Sequence, residues 1–223
     1  MKKSIYLILS LTVILVLNAC SSVKVLDAWK ADDTSGFNDN NVLVIARTQN
    51  KQARIAFEQE IADQLRSKGI KATESFSKFP KLNHDEEMSE ERQEMIRTIL
   101  DNEGFNGVVL TVVKDIQESI KTTSDGGYYA GGSYSSYYPS YYGGFYGYYR
   151  HPYSYSSYGN YVPTTTTTYT SKTYILETVI YDLDAEEGKQ LISVVTTQIE
   201  DPKDVYKNAQ EYVKKIVESL KDK

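Results

Sequence analysis

Cysteine is nearly absent from this chain: Cys20 is the only one in 223 residues. With no second thiol there is no disulfide framework, and neither dithiol redox chemistry nor a thiolate metal site can be assembled. Histidine is almost as scarce, with His84 and His151 alone, so a histidine-based metal centre or catalytic triad has few candidates. The formal charge is −5 and the pI about 5.2, a balance that argues against nucleic acid, which calls for a clustered basic surface. The stretch from Gly126 to Tyr161 holds no Leu, Ile, Val or Met, so it cannot build a core of its own.

What is present begins at the N-terminus. Lys2 and Lys3 precede an apolar run from Ile5 to Leu17, and Leu17-Asn18-Ala19-Cys20 follows it. A basic start, a short apolar stretch and small residues before a cut describe a secretory signal. The run is short for a membrane span, which needs about 20 residues. Leu-Asn-Ala-Cys is similar to a bacterial lipobox. That resemblance implies removal of residues 1–19 as a lipoprotein signal peptide and acylation of Cys20. Ser21 and Ser22 follow the cysteine, and the Asp that retains lipoproteins at the inner membrane is not there. The implied address is the outer membrane, on its periplasmic face or at the cell surface. Several acyl chains, each CH₂ contributing about 0.8 kcal/mol, would make the anchor effectively permanent.

Residues 20–41 are polar with scattered Gly, Asp and Asn, which suits a tether. Within them Val23, Val25, Leu26 and Trp29 could instead form an edge strand that docks the single tryptophan. Val42 to Ala46 is a buried strand by its β-branched composition. Asn50 caps a helix carrying Ala53, Phe57, Ile61 and Leu65 at helical spacing, and Gly69 stops it. Ile70 to Phe76 is a second strand. Ser89, Glu90 and Glu91 open a helix bearing Met95, Ile96, Ile99 and Leu100, closed by Asn102 and Gly104. Gly107 to Val113 is a third strand that alternates onward towards Ile120.

After the Tyr/Gly/Ser-rich insertion, 126–168 with its run Thr164 to Thr168, the segments Tyr174 to Leu183 and Gln190 to Ile199 form a hairpin about an acidic turn. Asp201 as N-cap and Pro202 at N1 start a last helix, whose apolar face carries Val205, Ala209, Tyr212, Val213, Ile216, Val217 and Leu220. The order is β-α-β-α-β-insertion-β-β-α. Each helix has one apolar stripe to bury, so the expected fold is α/β (α+β): one domain over 42–223, a mixed sheet packed by about three helices.

This arrangement resembles small Gram-negative envelope lipoproteins with Tyr/Gly-rich inserts. It rests on the Val-Leu-Val-Ile-Ala strand, Arg54-x-x-Phe57-Glu58-x-x-Ile61-Ala62-x-x-Leu65 before Gly69, and Thr178-x-x-Tyr181-Asp182. More distantly, the element order is similar to LpoB/CsgG-like and TolB N-terminal domains. The resemblance implies a non-catalytic adaptor or assembly part.

Sites for chemistry are few. His84 lies in Asn83-His84-Asp85-Glu86-Glu87, whose consecutive positions do not share one helix face, so a solvated loop is expected. Asp182 to Gly188 resembles the start of a calcium loop, but its glycine is one place late and Ser193 stands where the bidentate acid belongs. No metal and no cofactor are expected, and no enzyme activity. The insertion carries the candidate contacts, Tyr137, Tyr138, Tyr141, Tyr142, Tyr148 and Tyr149, because Tyr on a Gly/Ser backbone gives large amphipathic area at low entropy cost. Its partner would be an envelope protein, a glycan or lipid head groups. Self-association as a structural or adhesive surface lipoprotein is the alternative, and a disordered spacer the bland one.

Overall fold

A computed structural model describes residues 22–79, 89–121, 128–130, 144, 160–162, 169–186 and 188–221. In chain order these form β1 (Val23–Lys30), a 3-10 turn (Ser35–Asp39), β2 (Asn41–Arg47), α1 (Lys51–Ser67), β3 (Lys71–Glu74), the single turn α2 (Ser75–Lys78), α3 (Glu90–Glu103) and β4 (Gly107–Lys121). The short strands β5 (Tyr128–Ala130) and β6 (Asn160–Val162) come next, followed by β7 (Tyr169–Asp182), β8 (Leu191–Glu200) and α4 (Val205–Lys221). The fold is mixed α+β. Six strands make one sheet in the order β1-β8-β7-β4-β2-β3, and β5 and β6 pair separately. The β1/β8, β8/β7 and β7/β4 pairs are antiparallel, whereas β4/β2 and β2/β3 are parallel.

Local chemistry explains most boundaries. The Asn50 side chain accepts from the backbone N–H groups of Gln52 and Ala53 and so caps α1. Gly69 and Gly104 end α1 and α3 with φ of 84° and 66°, a conformation that a residue without Cβ adopts at least cost. The last helix departs from expectation. It starts at Val205 with Asp204 as its cap, the carboxylate accepting from Tyr206 N at 3.0 Å and Lys207 N at 3.1 Å. Asp201 is engaged elsewhere, at a φ of 46°, and this position outside the helix is a correction to the cap read from Asp201-Pro202. A second correction concerns 20–41. Val23–Lys30 is the outer strand of the sheet, so the tether reading fails there and the edge-strand reading holds. The reason is that Val23, Val25 and Ala28 gain apolar contacts against the main core, which a solvated tether forgoes.

The sheet separates two cores. On one face α1 and α4 bury Ala56, Phe57, Ile61, Ala209, Tyr212, Val213 and Ile216 against Val42, Val44, Val109, Leu176 and Val195. On the other, Ile96 and Leu100 of α3 meet Leu43, Ile45, Val108, Leu110 and Tyr181, with Trp29 packed at the margin. Burial of each such aliphatic side chain contributes about 1.5–3 kcal/mol, and adjacent residues of the central strands serve opposite cores because side chains alternate along a strand. Met95, read as core, is 43% exposed: α3 covers a single sheet face and needs a narrow stripe.

Candidate functional site

Strands β4 and β7 are the longest in the sheet, paired from Gly107↔Asp182 to Lys121↔Tyr169. Strand β8 follows β7 only as far as Thr173↔Glu200. The last four residues of β4, Glu118–Lys121, and the first four of β7, Tyr169–Lys172, therefore form an arm beyond β8, about 13 Å long at about 3.3 Å per residue. From its tip the Tyr-rich insertion leaves and returns. Asp201 fixes the base of the arm: its carboxylate accepts from Ser171 Oγ and Lys172 N, both at 2.8 Å, while its own N–H donates to the Lys172 carbonyl. Lys172 also pairs with Glu118 across the arm at 2.7 Å. The Glu118 carboxylate, accepting its hydrogen bond, raises the Lys172 pKa.

The chain enters the sheet at this same end. Ser22 Oγ donates to Asn208 Oδ1 at 2.9 Å, and the Ser22 carbonyl accepts from Glu200 N at 2.9 Å. Directly beside Asn208, the first turn of α4 carries Tyr206, 57% exposed, between exposed Lys203 and Lys207. Ser22, the first turn of α4 and the arm thus share one end of the molecule. Gly144, within the insertion, lies at the other end, where a Cβ on it would stand 3.2 Å from Gln190 Oε1.

Polar groups also gather where the parallel strands β2 and β3 end. Glu58 is fully buried. One carboxylate oxygen accepts from Ala46 N at 3.0 Å, Arg54 Nε at 3.1 Å and Ser75 Oγ at 2.8 Å, the other from Phe76 N at 2.7 Å. Four donors on one carboxylate make it a joint between β2, α1 and α2, with its acceptor capacity already committed. On the opposite face Lys114 pairs with buried Glu177 at 3.1 Å, and Asp115 accepts from Gln117 at 3.0 Å. Under α4, Tyr212 Oη lies 2.6 Å from Thr178 Oγ1, itself 2.7 Å from Thr111 Oγ1. Burial pushes the Tyr212 phenol up to about 12, and Phe57 meets its ring edge-on at 5.0 Å. These groups hold elements together.

Cys20 and the tyrosines at 137, 138, 141, 142, 148 and 149 lie outside the described residues, as do the signal segment 1–19, His84 and His151. Among the described residues no group of three His, Cys, Asp or Glu could hold a metal, and no helix is long and apolar enough to cross a membrane. The sequence reading overlooked the Tyr206 patch. Its signal was an aromatic between two lysines, off the apolar stripe of the last helix.

No family model and no curated protein matches the sequence. Among solved structures the chain is similar to the PelC dodecamer from Paraburkholderia phytofirmans, with TM-score 0.40 and 12% identity over 87% of this chain and 96% of that one. It is similar also to a point variant of that dodecamer, with TM-score 0.37 and 12% identity over 87% and 94%. A likeness of this size carries no argument about function.

Proposed function

We propose that this chain is a non-enzymatic, lipid-anchored lipoprotein of the outer membrane, an interaction module for envelope assembly or maintenance. In it the α+β domain is a scaffold and the Tyr-rich insertion the contact element. The observation that carries the reading is the lipobox-like Leu17-Asn18-Ala19-Cys20 only two residues ahead of Ser22, which is bonded into the sheet. An acyl group on Cys20 would hold the domain directly at a bilayer, and the confinement raises the effective concentration of the insertion towards any membrane-bound partner. The carboxylate of Glu58, saturated with donors, and the paired Lys114 and Glu177 support a scaffold role, because each ties structural elements together.

Two measurements test the reading. Mass spectrometry of the protein from membranes is expected to find a chain beginning at an acylated Cys20; an intact Met1 or a free thiol at Cys20 overturns the anchor. Deletion of Gly126 to Tyr161 is expected to leave the domain folded and abolish in-cell cross-linking to its envelope partner. Undiminished cross-linking overturns the role of the insertion, and loss of homo-oligomers alone would assign the insertion to self-association.

A further inference from the structure

The position of Ser22 sets how the domain can sit on a bilayer. Two peptide units separate Cys20 from Ser22, a reach of at most about 7 Å. Ser22 is level with Glu200, whose N–H donates to its carbonyl, and Glu200 pairs with Thr173, while the arm continues to Tyr169, four residues further along β7. At about 3.3 Å per residue the tip of the arm extends about 13 Å beyond Ser22. The interfacial layer of a bilayer is about 6 Å deep on each side of the hydrocarbon. Reach and layer together match that length, so an anchored Cys20 brings the arm into the interface and the entry end of the sheet to the surface.

That end has the chemistry for the contact. Tyr206 is the most exposed large apolar side chain among the described residues, and exposed Lys203 and Lys207 flank it. Amphipathic rings of Tyr settle at the depth of head groups, and a lysine near an anionic surface contributes about 1 kcal/mol. The arm adds exposed Lys172, paired with Glu118. Asn208, on the same stretch of α4, accepts from Ser22 Oγ at 2.9 Å, which ties the patch to the point where the chain enters the domain. We propose that the first turn of α4 and the β4–β7 arm form a phospholipid-binding surface, with Tyr206 among the head groups and Lys203 and Lys207 on their phosphates. The root of the Tyr-rich insertion then lies at the membrane, with the domain between the bilayer and the Asp184–Lys189 turn. This rests on the anchored reading of Cys20 given above.

The test separates the two. The chain from Cys20 onward is coupled through its single thiol to a maleimide phospholipid, which supplies the anchor whether or not cells acylate it. It is inserted in phosphatidylethanolamine/phosphatidylglycerol vesicles containing brominated lipid. Tyr206→Trp and, at the far end, Lys189→Trp are compared, each after subtraction of the parent emission from Trp29. Emission at 206 is expected to be quenched several-fold more than at 189, and Lys203→Glu with Lys207→Glu to remove most of that excess. Equal quenching at both positions, stronger quenching at 189, or an excess indifferent to the lysines would overturn the proposal. A failed acylation result in cells with preferential quenching at 206 would remove the native anchor and leave the surface standing.

Discussion

Ser22 Oγ donates to Asn208 Oδ1 at 2.9 Å, joining residues 186 positions apart. The bond ties the outer strand β1 to α4 at the point where the chain enters the domain. It is partly buried, so its loss exchanges an internal partner for imperfect solvation. Ser22→Ala is expected to cost about 1 kcal/mol. Amide exchange should accelerate at Glu200, whose N–H donates to the Ser22 carbonyl, and remain unchanged at Val109 in the centre of the sheet. Uniform acceleration would show a global effect and contradict the local role.

Glu58 supports a larger prediction. Glu58→Gln keeps the shape and replaces an accepting oxygen by a donating NH₂ opposite N–H and O–H donors. Arg54, whose side chain is 12% exposed, loses its buried counter-charge. Removing one partner of a buried pair costs about 3–5 kcal/mol. Urea denaturation checks this, and a cost near zero would mean that the cluster relaxes freely.

Alkaline pH should find Tyr212. Its phenol is pushed up to about 12 by burial, against about 10 in an unfolded chain. The folded state holds the proton more tightly, so the contribution is complete below pH 10 and is lost as pH rises from about 10 to 12, amounting to roughly 2–3 kcal/mol. Tyr212→Phe removes this dependence and sacrifices the bond to Thr178, about 1 kcal/mol at neutral pH. The difference in stability between parent and variant, followed from pH 9 to 12, cancels the titration of the other tyrosines and of the lysines. A pH-independent difference would contradict the buried, protonated phenol.

Gly107 opens β4 where it has no room for a side chain. A Cβ there would stand 2.9 Å from Val42 Cγ2, 3.1 Å from the Phe37 ring and 3.2 Å from Asn40 Cβ. Gly107→Ala is therefore expected to destabilise the domain by about 1–3 kcal/mol through overpacking, despite the better strand propensity of alanine. Thermal melting decides, and an unchanged or raised Tm would show that Phe37 moves aside.

Much of the fold was legible because its signals are local. Asn50 followed by Ala53, Phe57 and Ile61 specifies a capped amphipathic helix, and Gly69 and Gly104 mark ends that their positive φ confirms. Arg54 and Glu58 have the i,i+4 spacing of an ordinary helix pair, and nothing in that spacing tells that Glu58 is buried; its burial depends on Ser75 and Phe76 arriving from 17 and 18 positions away. Asp201 before Pro202 had every local mark of a cap. It lies outside the helix because Ser171 and Lys172, from another strand, offer its carboxylate two donors, and Asp204 caps in its place.

By itself the sequence determined most of the elements, the burial of Val42 to Ala46 and the likeness of Leu17 to Cys20 to a lipobox, since each follows from neighbours in the chain and from periodicity. Tertiary structure alone decided that Val23–Lys30 closes the sheet beside β8, and that Ser22, Tyr206 and the arm share one end of it. Strand register and helix direction fix that coincidence, and both arise from contacts between residues far apart in sequence, for which no local pattern exists.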